Sequence, residues 1–317
     1  MNVRIKSQTE AFSEVLLELV KEDPRVYALS ADMGSRIIAS FMKACPDHFL
    51  NFGIAEQGMV GAAAGLALAG LIPFVTTISV FLSMRALEQV RTDIAYPRLN
   101  VKIVATGGGL SYGALGATHQ GLEDLSLMRA IANLVVMAPA DAAETRSALK
   151  AAAAYAGPVY IRVGRGPVPV IHAEEEVPHF QIGRAIEIKP GRDVTLLATG
   201  IILGTALQAA EELARRGIEA RVLSVPTVKP LDESAVLRAA TETRGLVTIE
   251  DNRLTGGFGS AVAEFLGRTR PTPLRMIGIP EVYPIVGTPE ELYREYHMDL
   301  PDIVAAALEV CEAKHAG

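Results

Sequence analysis

The sequence predicts an α/β protein of two domains, each built on a parallel sheet covered by helices. The 317 residues are more than one typical domain needs. Short apolar runs alternate with segments of helical periodicity, which is the pattern of βαβ crossovers. A charged stretch without periodicity interrupts this alternation near the middle of the chain. We therefore expect a first domain over residues 1–168, a linker over 169–190 and a second domain over 191–317.

The elements of the first domain follow from the spacing of apolar residues. Residues 10–21 carry Phe12, Val15, Leu16 and Leu19 on one helical face, which predicts the first helix. Short apolar runs predict strands over 26–30, 72–77, 101–106, 134–138 and 159–163. Small-residue or periodic segments between them predict helices over 55–69, 81–95, 122–132 and 140–154.

The second domain repeats the alternation after the linker. The acidic run Glu174–Glu176 in the linker is expected to be a solvated loop, because such runs are usually exposed. Strands are predicted over 194–199, 220–225, 246–249 and 274–279, and helices over 203–216, 231–240, 258–266 and 301–313. Parallel sheets bind ligands at the carboxyl ends of their strands, so the chemistry should lie in the loops there.

Composition excludes several classes of protein. Half of the residues are hydrophobic and the formal net charge is −6, which argues against disorder and against a nucleic-acid partner. Residues 1–10 lack an apolar signal segment, and glycines and prolines interrupt the apolar residues 59–80, so no membrane span is expected. Cys45 and Cys311 have neither metal-site spacing nor a disulfide framework, which fits a reducing cytoplasm.

Glu56 stands at the start of a helix that is otherwise apolar, in the segment Asn-Phe-Gly-Ile-Ala-Glu-Gln over residues 51–57. A glutamate in the first turn can simply complement the helix dipole. A helix that is apolar all round is expected to be buried, however, and there a carboxylate is costly to ionise. A neutral carboxyl in a dry site can donate a proton to a basic ring nitrogen, and both interpretations stay open.

His119 follows a glycine-rich segment over residues 106–117 and precedes a predicted helix. Glycines permit close approach of the backbone to a ligand, and helix N-termini favour anions. The segment matches neither common nucleotide-binding pattern. His119 is therefore a candidate ligand-contacting residue or a capping or core histidine.

Arg162 and Arg165 lie at the carboxyl end of a predicted strand. Guanidinium groups there suit phosphate or carboxylate recognition, or form a structural ion pair. Residues 256–259, Gly-Gly-Phe-Gly, open a helix and predict either a second anion site or tight strand–helix packing. The common hydrolase and zinc signatures are absent from the sequence.

These segments together resemble the C-terminal half of transketolase and its thiamine-diphosphate relatives. The resemblance rests on Gly-Ile-Ala-Glu over 53–56, Thr-His-Gln over 118–120 and Gly-Gly-Phe-Gly-Ser over 256–260. It covers essentially the whole chain, as a pyrimidine-binding domain followed by the transketolase C-terminal domain. It implies an enzyme that passes a two-carbon ketol unit from a ketose phosphate to an aldose acceptor.

The resemblance also implies roles for single residues. Glu56 would hydrogen-bond N1′ of the aminopyrimidine of thiamine diphosphate, and Phe81 would stack on that ring. His119 would contact substrate as a catalytic residue, and Arg165 would bind the substrate phosphate. The other residues expected at the cofactor are Asp32, Ile54, Ile78 and Met84, and Arg162 is expected to join Arg165 at the substrate.

The sequence departs from the family in informative places. The diphosphate and magnesium motif, Gly-Asp-Gly followed by Asn-Asn, is absent, so no metal ligand is expected in this chain. The resemblance then implies an N-terminal partner subunit that holds diphosphate and Mg²⁺, in an α2β2 assembly. Gly107 stands where transketolases carry another substrate histidine, and Leu115 replaces an aspartate that contacts the 2-hydroxyl of the acceptor. Glu10 falls near a second phosphate-contacting arginine, and these departures leave a branched or sulfonated acceptor open.

Three alternatives to a split transketolase remain at this stage. The β subunit of a 2-oxoacid dehydrogenase shares the fold and the glutamate. An activity like that of deoxyxylulose-phosphate synthase is possible, although that enzyme is normally one longer chain. A scaffold subunit that lost catalysis is the non-enzymatic alternative, and retention of Glu56, Phe81 and His119 argues against it.

Overall fold

Two sheets organise the computed structural model, which describes residues 5–32, 37–173 and 175–313. The strands are β1 (Ile5–Ser7), β2 (Val26–Ser30), β3 (Phe49–Asn51), β4 (Ile72–Ile78), β5 (Lys102–Thr106), β6 (Val135–Met137), β7 (Val159–Val163), β8 (Pro167–Pro169), β9 (Ile186–Lys189), β10 (Val194–Thr199), β11 (Ala220–Ser224), β12 (Thr227–Lys229), β13 (Leu246–Arg253) and β14 (Leu274–Ile279). The helices are α1 (Gln8–Glu22), α2 (Ala39–Ala44), α3 (Glu56–Leu68), α4 (Asp124–Ala130), α5 (Ala142–Ala154), α6 (Leu203–Arg215), α7 (Glu233–Glu242), α8 (Phe258–Thr269), α9 (Pro289–Glu295) and α10 (Leu300–Glu312).

The predicted architecture of two α/β domains with mostly parallel sheets is confirmed. The first sheet has the order β12-β6-β7-β5-β4-β2-β3, and every strand in it runs parallel to its neighbours except β12. The second sheet has the order β14-β13-β10-β11-β9, with only β9 antiparallel. Strands β1 and β8 form a separate antiparallel pair.

The two domains are joined by more than a linker. Strand β12 belongs to the second half of the sequence but pairs with β6 of the first sheet, where Thr227 lies opposite Met137. One hydrophobic cluster also contains residues of both halves, among them Val75, Leu197 and Phe258. Strand β9 lies within the expected linker, yet it pairs with β11 of the second sheet. Glu174 of the acidic run lies outside the described residues, and Glu176 forms an ion pair with Lys150, Oε1 to Nζ 2.6 Å.

Helix α3 is only half covered, contrary to the expectation of full burial. Met59, Val60 and Ala63 lie on the face of α3 that points toward the sheet, and they pack into the hydrophobic core. The opposite side is open, and Leu68 is 74% exposed. An apolar helix face left open in a single chain is typical of a surface that another chain covers.

The segment predicted as one regular helix over 81–95 is irregular. It consists of π-helical turns, Phe81–Arg85 and Val90–Ala95, on either side of a single α-helical turn, Leu87–Gln89. Such π-turns are rare and are frequent at functional sites. Within the described ranges, no helix is long and apolar enough to span a membrane.

Candidate functional site

The parallel strands of the first sheet bring the predicted site residues to one edge. Strands β2, β4, β5 and β7 run in the same direction, so their carboxyl ends lie side by side. Asp32 follows β2, Phe81 follows β4, and Arg165 follows β7. Asp32 is exposed and has a positive φ of 35°. This edge is where ligands bind in open α/β sheets.

Glu56 and Phe81 share one neighbour, Arg85. Nη1 of Arg85 lies 3.0 Å from Oε1 of Glu56. The same guanidinium lies over the Phe81 ring, 4.0 Å from its centroid. The Glu56 side chain is nearly buried, whereas Arg85 is about half exposed. A carboxylate, an aromatic face and a half-exposed cation therefore meet at the N-terminus of α3.

An open cavity of about 480 Å³ adjoins this group and is lined by Ile54, Glu56 and Arg85. Ile54 is 77% exposed beside it, and Met84 is 47% exposed on the neighbouring helical turn. Ile78 does not match the expectation of a ligand-facing residue. It is the last residue of β4 and is buried, so its side chain offers no open surface.

His119 lies beside Phe81. The two rings meet edge to face, with centroids 5.4 Å apart and planes at 67°. Oγ1 of Thr118 lies 2.8 Å from Nδ1 of His119 and orients the imidazole. Tyr112 packs on the same histidine, with ring centroids 6.1 Å apart. The glycine-rich segment thus places His119 against the candidate cofactor site.

Arg165 extends the site toward helix α1. Its guanidinium lies over the Tyr112 ring, 4.4 Å from the centroid. Both side chains line a cavity of about 540 Å³, and Glu10 also lines it, from α1. Arg165 is exposed, so its charge is available to an anionic group in this cavity.

The Arg162 side chain is buried, unlike that of Arg165. The expectation that Arg162 binds the substrate is therefore corrected. Its side chain is 9% exposed and lies between two carboxylates, with Nη1 3.6 Å from Oδ1 of Asp124 and Nη2 3.8 Å from Oδ2 of Asp251. It also donates a hydrogen bond to the backbone carbonyl of Asp251. Burial raises the pKa of both carboxyl groups, an effect that the Arg162 charge opposes. The structure therefore favours the ion-pair interpretation for Arg162.

The glycine-rich start of α8 already holds a side-chain carboxyl group, that of Glu250. Oε2 accepts a hydrogen bond from the Phe258 N–H and Oε1 from the Gly259 N–H, both at 2.7 Å. A Cβ on Gly257 would collide with the Glu250 carboxylate, which explains that glycine. Burial raises the pKa of Glu250 to about 8. The glycines therefore serve strand–helix packing, one of the two interpretations, because the Glu250 side chain already fills the position that a second bound anion would need.

Arg85 and Asp251 are two residues in contact with the candidate site that the sequence analysis did not single out. Arg85 lies four residues after Phe81, the spacing that brings helical side chains together, and this could have revealed it. Asp251 lies in β13 next to Glu250, and the sequence offers no signal for its long-range partners. Among the residues placed in the structure, no group of three or more His, Cys, Asp or Glu side chains could hold a metal ion.

Comparison with known proteins places the chain among transketolases. Residues 6–170 match the transketolase pyrimidine-binding domain, and residues 183–303 match the transketolase C-terminal domain. The 6-deoxy-6-sulfo-D-fructose transketolase subunit SqwH of Clostridium sp. (strain MSTE9) is 43% identical over 96% of this chain and 95% of its own length. An apulose-4-phosphate transketolase subunit of Phocaeicola vulgatus is 40% identical over 95% of this chain and 96% of its own length.

A solved structure supports the same assignment. It is described as a split gene transketolase, inactive beta4 tetramer, and it matches this chain with a TM-score of 0.87 and 42% identity. The match covers 96% of this chain and 98% of that one. The chain therefore belongs to the transketolase family and carries the family's pyrimidine-binding domain followed by its C-terminal domain.

Proposed function

We propose that this chain is the C-terminal subunit of a split transketolase dependent on thiamine diphosphate. It would move a two-carbon ketol unit from a ketose phosphate to an aldose acceptor. The observation that carries the proposal is the meeting of Glu56, Phe81 and His119 at the carboxyl edge of the first sheet. Glu56 and Phe81 share the Arg85 guanidinium, and Phe81 contacts the His119 ring.

The residues at this edge fit the pyrimidine end of the cofactor. Phe81 offers an aromatic face to a flat ring, and the nearly buried Glu56 carboxyl lies next to that face. Glu56 would hold a proton at the ring nitrogen N1′, and Ile54 and Met84 would exclude water. When bound, thiamine diphosphate supplies the carbon nucleophile for attack on the ketose carbonyl.

The substrate side of the site fits a sugar with an anionic end. His119 would contact sugar hydroxyls, where an imidazole can hold or move a proton near neutral pH. Arg165 would bind the terminal anion in the cavity beside Tyr112. The two relatives described above are named for a sulfonated sugar and for a sugar phosphate, which supports an anionic substrate. Glu10 in the same cavity would disfavour a second anionic group there.

A partner subunit is part of the proposal. The sequence lacks the Gly-Asp-Gly and Asn-Asn motif, so an N-terminal subunit would hold the diphosphate and Mg²⁺. The names of both relatives describe them as subunits, and the solved relative is an inactive beta4 tetramer. The open face of α3 and the open cavity at Glu56 would then be covered in an α2β2 assembly. We place this assembly in the cytoplasm.

The experiment combines the chain with a candidate N-terminal subunit, thiamine diphosphate, Mg²⁺, a ketose phosphate donor and an aldose acceptor. We expect ketol transfer by the combined subunits and none by either subunit alone. Glu56→Gln should abolish most of the turnover while leaving the assembly intact by size-exclusion chromatography. Transfer by this chain alone would refute the partner requirement, and full activity of Glu56→Gln would refute the catalytic site.

A further inference from the structure

Asp251 reaches from the second sheet to the loop that carries His119. It lies in β13 and is buried, and its carboxylate accepts a hydrogen bond from the Leu110 N–H, at 3.1 Å to Oδ1 and 3.3 Å to Oδ2. The Tyr293 hydroxyl, on α9, donates to Oδ2 at 2.9 Å. A side chain of the C-terminal domain thus binds backbone of the pyrimidine-binding domain.

The bound backbone is the base of one loop, residues 107–121, which we call the substrate loop. The Gly109 N–H donates to the Gly121 carbonyl at 2.7 Å and closes the loop next to Leu110. Gly109 has a positive φ of 64°, and a Cβ there would collide with the Asp251 carboxylate. A Cβ on Gly108 would collide with the Arg162 side chain. The loop therefore lies directly on the pair formed by Asp251 and Arg162.

The far part of the substrate loop contacts the site residues. Tyr112, two residues after the Asp251 contact, packs against both His119 and Arg165. A shift at the base of the loop would therefore move the imidazole and the arginine that face the substrate. Glu56 and Phe81 come from other elements, α3 and the segment after β4, and would not be moved directly.

We propose that Asp251 is a positioning residue through which the C-terminal domain fixes the substrate loop. Its effect on sugar binding rests on the proposed transketolase function, whereas its effect on loop order does not. The charge of the carboxylate strengthens the bond to the Leu110 N–H, because hydrogen bonds to ionised acceptors are stronger than neutral ones. Arg162 keeps that carboxylate compensated within the buried interface.

The neighbouring residue Glu250 provides a matched control. It is also a buried carboxyl in β13, but both of its oxygens bind backbone N–H groups of α8 within the C-terminal domain. Asp251→Asn and Glu250→Gln each replace a buried carboxyl by its amide. Of the two substitutions, only Asp251→Asn places an amide N–H donor opposite the Leu110 N–H donor at the base of the substrate loop.

The first measurement is amide hydrogen exchange of the full chain, read over peptides within residues 107–121. We expect exchange at least ~10-fold faster in this loop for Asp251→Asn, since a buried charge-assisted hydrogen bond is lost. Exchange in the loop should be unchanged for Glu250→Gln. Tyr293→Phe removes one donor that orients the Asp251 carboxylate, which weakens its bond to the Leu110 N–H, and should give a smaller change in the same direction.

The second measurement is steady-state kinetics of the combined subunits. We expect Asp251→Asn to raise the KM for the sugar phosphate by ~10-fold, while the Kd for thiamine diphosphate stays within ~2-fold of the unchanged chain. Glu250→Gln should leave both constants unchanged per folded molecule.

The outcomes separate this proposal from the proposed function. Unchanged exchange in the substrate loop of Asp251→Asn, or equal acceleration throughout both domains, would overturn the positioning role. If Asp251→Asn does not fold, unchanged loop exchange in Tyr293→Phe overturns it. Faster loop exchange with an unchanged KM would confine the role of Asp251 to the order of the loop and refute its effect on sugar binding. Failure of the unaltered subunits to transfer a ketol unit would refute the proposed function, and loop exchange would still decide the role of Asp251.

Discussion

The guanidinium of Arg85 lies 3.0 Å from the Glu56 carboxylate and covers the face of Phe81 at 4.0 Å from the ring centroid. Arg85 therefore contacts both of the side chains that we propose bind the pyrimidine ring. A ring that stacks on this face of Phe81 and bonds to Glu56 has to displace the guanidinium first. The half-exposed position of Arg85 allows this displacement, because its side chain can swing into solvent.

Arg85→Gln should therefore bind thiamine diphosphate more tightly than the unaltered chain when combined with the partner subunit. An exposed cation–π contact and a surface-like ion pair contribute about 0.5–1 kcal/mol each. Removing both contacts should tighten the Kd for thiamine diphosphate by about 5- to 30-fold, measured by calorimetric titration. Arg85→Lys keeps the charge without the planar guanidinium, so its Kd should lie between those of the unaltered chain and Arg85→Gln. Weaker binding by Arg85→Gln would mean that Arg85 holds the cofactor.

Glu250 should make the stability of the chain depend on pH. Its pKa rises from an ordinary value of 4.5 to about 8 on burial. Between these values the folded state keeps a proton that the unfolded state releases, so stability falls as pH rises through this window. Urea unfolding at pH 5 and pH 8 should show a larger free energy of unfolding at pH 5, and Glu250→Gln should remove much of the difference.

An exposed glutamate supplies the control for that measurement. Glu211 lies on the solvent side of α6, and Glu211→Gln should keep the pH dependence of the unaltered chain. If Glu250→Gln keeps the same dependence, Glu250 is ionised in the folded state at neutral pH.

Four of the parallel strands were predictable because they are short, mostly apolar runs. Residues 26–30, 159–163, 194–199 and 274–279 form strands with the predicted bounds. The short edge strands β9 and β12 were not predicted, because three or four residues carry too little pattern and their partners lie far away in sequence. The irregular turns over 81–95 were not predicted either, because helical periodicity does not distinguish α-helical from π-helical geometry.

The family resemblance indicated candidate site residues, but it could not show which charged side chains tertiary contacts bury. Phe81 and His119, both candidates from the resemblance, lie next to each other. Arg162 and Arg165 look equivalent in sequence, yet one is buried between carboxylates from α4 and β13 and the other is exposed. The open face of α3 was also missed, because a sequence cannot show whether apolar residues are covered by the same chain.

The buried amino group of Lys102 leads to a prediction about stability. The sequence pattern did not indicate that this lysine is buried. It lies in the central strand β5, and Nζ donates to Asn100 Oδ1, the Tyr155 carbonyl and the Gly157 carbonyl at 2.5, 2.6 and 2.7 Å. Burial lowers the pKa of Lys102 to about 7, so the charged form is present at pH 6. Lys102→Met should lower the free energy of unfolding at pH 6 by about 2–3 kcal/mol, because three acceptors lose their donor.

Lys150→Met is the matched control for this prediction. Lys150 is more exposed and pairs with Glu18 and Glu176 at the surface, so its loss should cost less than about 1 kcal/mol. Equal effects of the two substitutions would show that the Lys102 hydrogen bonds contribute no more than a surface ion pair.

Arg162 and Arg165 should respond to substitution in opposite ways, although they are separated by only two residues. Arg162→Met leaves Asp124 and Asp251 without their buried cation and should cost about 3–5 kcal/mol in urea unfolding. Arg165→Met should change stability by less than about 0.5 kcal/mol, because the side chain is exposed, yet raise the KM for an anionic sugar. Arg165→Met should change the KM for a neutral sugar analogue only slightly, since that analogue has no anionic group for Arg165 to bind. If Arg162→Met instead raised KM without loss of stability, the buried ion pair would be dispensable and Arg162 would belong to the substrate site after all.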